Sequence, residues 1–365
     1  MKRLWDRFKK GKRQCEVSDN VDGPLTLKSL ALRCVLPTID KIGSNGLSPL
    51  HVVCARGRAD CLRLLLKWRK NANLNVPARK CVAIWKERRD VNEYTRFLAI
   101  KKWSLVTPLH LAVIARSCEC VRLLLSHGAK AHVVAVAGVY QETPLHYAVQ
   151  LGDVGIARIL LDHKAKVNYS ALSNKTLIHH AVVDGNRDCV RLLLERGADP
   201  NIHPLLPEEA YSCYGPHNRR QDFPLHVAGL NGDEEIVKLL LYYGADVNQL
   251  GAQKSTAVHR AAEGGSTAAL SVLLATNASV NQFDNLGCSP LHYAVDNGHY
   301  DCSKNLLDHG ADPNAEKGLR YCHPPLVSLL FSRNCTVECV ELLLSKGANH
   351  RVLIHLLFPK VAEPF

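Results

Sequence analysis

The sequence predicts an all-α protein, a solenoid of about eight helix-turn-helix repeats interrupted by two insertions. Three observations predict this fold class. A four-residue motif ending in His recurs along the chain, its spacing returns to 33 residues, and a leucine run and a Gly-Ala turn follow in phase with it. A helix pair that recurs at such a period cannot bury both of its apolar faces alone, so the copies must stack.

The motif predicts the start of the first helix in each repeat. It reads SPLH, TPLH or a close variant and ends at His51, His110, His146, His179, His226, His259 and His292, and a weaker copy without the His starts at Pro324. Ser or Thr caps a helix, and Pro is favoured at its first position. A glycine about six residues after the motif, such as Gly152, predicts the end of this helix.

The leucine run, such as Leu192–Leu194, predicts the second helix, and the turn GADPN at 197–201 closes it. Spacings of 59 and 47 residues between motifs mark two insertions. We therefore expect the following organisation: a basic N-terminal segment at 1–22, a degenerate capping repeat at 23–43, repeats over 44–350 with insertions at about 76–106 and 202–222, and a short C-terminal cap at 351–365.

This pattern resembles the ankyrin repeat, whose period and T-P-L-H-x-A signature it matches over about residues 44–350. The resemblance implies an ankyrin-repeat solenoid whose turns and first helices line a concave groove. It also implies that the recurring histidine hydrogen-bonds to neighbouring turns. Because seven copies of one histidine cannot be seven active sites, we expect these side chains to be structural.

The composition argues against a membrane-spanning or secreted protein. The chain has 365 residues, 47% of them hydrophobic, and it contains neither an apolar run long enough for a membrane helix nor a secretory signal. Its 14 cysteines include no CxxC pair, which favours free thiols and a cytoplasmic location, with the nucleus as a second location. One repeat position holds five of them, which we expect to pack at the start of the second helix: Cys61, Cys120, Cys189, Cys302 and Cys339.

The net charge of +12 is concentrated in two segments. Residues 1–13 hold seven basic side chains and one acidic, and residues 76–106 hold eight basic and three acidic. The repeats together are then close to neutral. In the first insertion, aromatic and basic residues alternate, and this predicts a surface for an acidic or phosphorylated partner through Trp85, Arg88, Arg89, Lys101, Lys102 and Trp103. A helix folded back onto the array is the alternative interpretation.

The second insertion contains three prolines and a glycine, so it is not a regular helix. Tyr211 and Tyr214 are its predicted contact residues, and a tolerated surface loop is the alternative. Five turn asparagines each follow a leucine by eight residues. This layout resembles known substrates of a cytoplasmic asparaginyl hydroxylase, and the candidate positions are Asn168, Asn201, Asn248, Asn281 and Asn314.

The sequence contains no phosphate loop, GxSxG or HExxH motif, so we expect no enzyme, no catalytic residue, no cofactor and no metal site. The predicted function is a protein-binding scaffold or adaptor. Stretches such as CECVRLLLSHGA are similar to the ankyrin and SOCS box family. This resemblance suggests, as an alternative, a substrate-recruiting subunit of a cullin-type ubiquitin ligase. The segment after the last repeat, RVLIHLLFPKVAEPF, is shorter than a SOCS box. Binding of nucleic acid or another acidic surface by the basic insertion is a second alternative. The identity of the partner and the oligomeric state stay open.

Overall fold

The computed structural model describes residues 47–68, 72–78, 106–137, 140–169, 176–203, 222–316 and 323–350. Within these ranges the chain forms eight successive helix pairs, numbered here in chain order. The first helices of the pairs are α1 Pro49–Ala55, α3 Pro108–Ile114, α5 Pro144–Gln150, α7 Leu177–Val183, α9 Pro224–Asn231, α11 Ala257–Gly264, α13 Pro290–Asp296 and α15 Pro325–Phe331. The second helices are α2 Ala59–Trp68, α4 Cys118–Ser126, α6 Val154–Asp162, α8 Arg187–Glu195, α10 Glu234–Tyr242, α12 Thr267–Leu274, α14 Tyr300–Asp308 and α16 Val337–Ser345.

Each first helix packs on the first helix of the next pair, and each second helix packs likewise, so the array has two layers. Short elements other than α-helices lie in the turns. A two-stranded antiparallel hairpin, β1 Ala135–Ala137 and β2 Tyr140–Glu142, extends the turn before α5. This hairpin occupies the interval where motifs are 36 residues apart. A single 3₁₀ turn, Ala252–Lys254, precedes α11.

The first helices begin as the motif predicts. In five of them the N-cap and the motif histidine form a reciprocal capping box, as Thr143 and His146 do at α5. The second helices have their own caps: the side chain of Asp153, for example, accepts the N–H of Ile156 at 2.9 Å. These caps satisfy N–H groups that a short helix leaves without partners.

The core is one continuous strip of small and branched apolar side chains between the two layers. Cys120, Cys189, Cys302 and Cys339 are buried in it, as predicted. Cys61 is exposed instead, so the prediction is wrong for the first repeat.

The packing between α9 and α11 is closer than side chains would allow. A Cβ on Gly229 would lie 2.9 Å from the carbonyl oxygen of Ala257, and a Cβ on Gly264 would collide with the carbonyl oxygen of Leu230. The two helices therefore meet backbone to backbone, and only glycine fits at these positions.

Candidate protein-binding surface

Five of the seven motif histidines form a hydrogen bond to the turn that follows their own repeat. The backbone N–H of Ser48 donates to His51 Nδ1 at 3.1 Å, so the proton of the neutral ring is on Nε2. That nitrogen donates to the carbonyl oxygen of Val76 at 2.9 Å. Equivalent bonds run from His179 to Asp222, His226 to Ser255, His259 to Cys288 and His292 to His323. The predicted bond to a neighbouring turn is confirmed for these five histidines, while His110 and His146 take part in capping boxes.

Burial keeps these rings neutral. It lowers the pKa of His110 and His146 to about 3, and the pKa of His51 and His259 to about 4. Nearby histidines lower the pKa of His146 further. A proton on Nδ1 would also remove the acceptor that the capping box needs.

The turn asparagines form a second chain of contacts along the array. The side chain of Asn201 donates to the carbonyl oxygen of Gly244 at 2.9 Å and accepts the N–H of Asp246 at 2.8 Å. The same pair of bonds leads from Asn168, Asn248, Asn281 and Asn314 to the following turn. These side-chain bonds connect neighbouring repeats, in addition to the local bonds that the backbone N–H groups of Asn201, Asn248 and Asn314 form within their own turns.

Replacing Asn201 by Ala should lower the free energy of unfolding by about 1–2 kcal/mol, because two inter-repeat hydrogen bonds are lost. Asn201→Asp keeps the acceptor and should cost less. Urea denaturation followed by circular dichroism measures both. Asn285→Ala, at an exposed turn position, is the control and should stay within about 0.5 kcal/mol of wild type. An equal effect at positions 201 and 285 would show that the asparagine chain contributes nothing to stability.

Both insertions leave the array at the turn between two repeats. Ala78 and Val106 flank the first, and the N–H of Ala78 donates to the carbonyl oxygen of Val106 at 2.8 Å. At the second, the rings of His203 and Phe223 meet edge to face with 5.1 Å between their centroids. The ends of each insertion are therefore held together, and both insertions start from the same edge of the array.

A buried ionic network fixes the end of the second insertion. Asp222 Oδ2 lies 3.0 Å from Arg260 Nε, and both side chains are buried. Asp222 Oδ1 accepts the N–H of Ala252 at 3.1 Å, and Arg260 Nη1 lies 2.9 Å from Glu263 Oε2. Sequence reasoning missed this network. The available signal was an arginine directly after the motif histidine, where the neighbouring repeats have Val227 and Tyr293.

Asp222 also fills a gap in the next turn. One repeat later, Asp284 accepts the N–H groups of Leu286 and Cys288, each at 2.9 Å. The equivalent position in the repeat before Asp284 is Gly251, which has no side chain that could accept such N–H groups. A Cβ at Gly251 would lie 2.8 Å from Asp222 Oδ1, so the glycine makes room for the carboxylate.

The chain matches a known family of repeat proteins along most of its length. The family "Ankyrin repeats (3 copies)" matches residues 23–135, 132–203 and 221–317. The chain belongs to the ankyrin-repeat family. The predicted all-α ankyrin solenoid is thereby confirmed, and ankyrin repeats are typical of protein–protein interaction.

Individual relatives agree with this assignment. The human "Ankyrin repeat and SOCS box protein 16" is 31% identical over 209 residues, which cover 55% of this chain and 37% of that protein. The ankyrin repeat domain of human ASB11 superposes with a TM-score of 0.55 at 23% identity, over 67% of this chain and 99% of that one. The ankyrin repeat domain of Bcl-3 gives 0.51 at 26% identity, over 68% and 94%.

The predicted partner-binding residues all lie outside the described residues: Trp85, Arg88, Arg89, Lys101, Lys102, Trp103, Tyr211 and Tyr214. The structure therefore places the bases of both insertions but tests none of these side chains. The described turns of the ankyrin array do expose two leucines that the sequence analysis did not single out. Leu250 and Leu286 lie in consecutive turns, after α10 and after α12.

The ankyrin repeats are neutral only as a sum. Residues 222–350 carry fourteen acidic and eight basic side chains, whereas residues 44–75 carry one acidic and six basic. The first insertion therefore adds its charge to an end of the array that is already basic. The prediction that basic charge is confined to two appendages was wrong, because the acidic last four repeats offset a basic first repeat.

Among the described residues, no group of three or more His, Cys, Asp or Glu side chains is arranged to hold a metal ion. In the same part of the chain, none of the helices is both long enough and apolar enough to cross a membrane.

Proposed function

We propose that this ankyrin-repeat chain is a non-enzymatic protein-binding scaffold or adaptor, and that the basic first insertion is its main contact surface. The observation that carries the proposal is the common origin of the two insertions on the turn edge, each closed at its base by a direct contact. Because the histidine and asparagine contacts hold the array in one conformation, a partner loses little entropy in ordering it.

The charge distribution supports an acidic or phosphorylated partner at this end. The basic first repeat and the basic first insertion are adjacent along the array, so their fields add. The partner would contact Trp85, Arg88, Arg89, Lys101, Lys102 and Trp103 of the first insertion and Tyr211 and Tyr214 of the second. A location in the cytoplasm, with the nucleus as a second location, is part of this proposal and fits the nine described cysteines, which are free thiols.

The test is affinity purification of the full chain and of two matched variants. The first variant replaces Arg88, Arg89, Lys101 and Lys102 by Gln. The control replaces four exposed basic residues of the second helices by Gln: Arg122, Arg158, Arg191 and Lys304. We expect the first variant to lose partners that wild type and control both retain, with helix content unchanged. Equal retention by all three proteins would remove the first insertion from the binding surface.

Recruitment of substrates to a cullin-type ubiquitin ligase is the second candidate function. It is favoured by the similarity to a protein whose name includes a SOCS box. Co-purification of elongin with the full chain would support it, and its absence together with retained binding of other partners would favour a simple scaffold. Nucleic-acid binding is the weaker proposal, since the last four repeats together carry fourteen acidic and eight basic side chains. Oligonucleotide binding that falls steeply with salt would support it.

The five turn asparagines are proposed in addition as acceptors of hydroxylation: Asn168, Asn201, Asn248, Asn281 and Asn314. Their side chains are exposed or half-buried at the surface, and the leucine eight residues before each one is buried. Mass spectrometry of the native protein should then find peptides heavier by one oxygen atom. Peptides of unchanged mass at all five positions would disprove this modification.

A further inference from the structure

The last repeat exposes apolar side chains that the other repeats bury. Leu330 in α15 is 41% exposed, whereas its equivalents in the seven preceding repeats are buried: Cys54, Val113, Val149, Val182, Gly229, Ala262 and Val295. Leu344 in α16 is 42% exposed, whereas its equivalents are half-buried at Leu161 and Leu241 and buried at Leu66, Leu125, Leu194, Leu274 and Leu307. Phe331 adds to the apolar area. A stacked array needs a cover at such an end.

The chain itself continues directly beside this open face. The turn after α16 is fixed to the previous repeat, because the N–H of Asn349 donates to Asn314 Oδ1 at 2.7 Å. The next segment contains VLIHLLF at 352–358, and Pro359 follows it. This apolar run has seven residues, as α15 has, and the proline is where a helix would end.

The charges of the two surfaces match as well. Glu338 and Glu341 are exposed on α16, beside the open face. Arg351 and Lys360 flank the apolar run on either side. A segment lying across α16 can therefore bury its apolar residues while its two cations stay near carboxylates.

We infer that residues 351–358, which lie outside the described residues, cover the open face of α15 and α16 and cap the array. The cap buries Leu330, Phe331 and Leu344. In the full chain this end is then occupied, so a protein partner binds elsewhere.

A double-mutant cycle in the full-length chain tests the cap. One variant is Leu330→Glu, the second combines Leu353→Glu with Leu357→Glu, and the third carries all three changes. Hydrogen exchange of the amides of α16 is the readout, because local opening of one repeat appears there first. We expect each of the first two variants to reduce protection about tenfold, and the third to add little, since one interface is lost in every case.

Leu286→Glu is the matched control, because this turn residue is 44% exposed and lies far from the last repeat. It should leave the exchange of α16 unchanged. If Leu330→Glu behaves like this control, or if the effects at Leu330 and in residues 353–357 simply add, the cap does not exist. If wild type is a dimer that Leu330→Glu converts to a monomer, a second copy covers the face and the inference is equally overturned.

Discussion

Lowering the pH from about 7.5 to about 5 is expected to unfold the repeat array. The neutral imidazoles of His51, His110, His146 and His259 are required by the fold, and burial lowers the pKa of each to about 3 or 4. In the unfolded chain the same rings have a pKa near 6.5. Above pH 6.5 these histidines are neutral in both the folded and the unfolded chain. Their full contribution to the free energy of unfolding is therefore present there.

As the pH falls below about 6.5, the unfolded chain takes up protons that the folded chain excludes. At pH 5 this difference amounts to about 2 kcal/mol for each histidine. Four such groups together approach the whole stability of an ordinary domain, about 5–15 kcal/mol. The loss continues until the pH reaches the folded-state values of 3 to 4.

Circular dichroism as a function of pH measures the loss of helix, and NMR follows individual rings. Full helix content at about pH 4.5 would refute the prediction. Motif histidines that titrate near pH 6.5 in the folded protein would show that their lowered pKa is not the cause of acid unfolding.

Replacing Arg260 by Ala is expected to destabilise the protein by about 3–5 kcal/mol. The change leaves the carboxylate of Asp222 buried with the N–H of Ala252 as its remaining described partner. The effect should spread to α9 and α11, because Asp222 precedes one helix and Arg260 lies in the other. Urea denaturation gives the free energy of unfolding, and hydrogen exchange locates the repeats that open.

Two variants separate the lost charge pair from lost packing. Arg191→Ala removes an exposed arginine from α8 and should change stability by less than about 0.5 kcal/mol. Arg260→Leu combined with Asp222→Asn removes both charges and keeps an acceptor for the N–H of Ala252. It should recover most of the loss, since Val52 and Leu111 occupy the equivalent of position 260 in other repeats. A double variant as unstable as Arg260→Ala would show that the unpaired carboxylate of Asp222 is not the cause of the loss.

The helices and their caps could be predicted from the sequence because each of them depends on residues that are only a few positions apart. The Thr-Pro-Leu-His motif, the leucine run and the closing glycine each specify a local conformation, and their recurrence specified the stack. The role of His51 and its equivalents followed from recurrence as well. The insertions had no such support, since a segment that occurs once has no period against which to compare it.

The amino-acid sequence by itself determined the repeat, the eight helix pairs and the structural role of the motif histidines, because periodic local patterns encode them. The tertiary structure alone decided which groups meet across repeats. Asp222 and Arg260 are 38 residues apart, Asn201 binds a turn more than 40 residues away, and Gly264 faces the backbone of Leu230. Such contacts depend on the distance between stacked helices, and only the assembled array sets that distance.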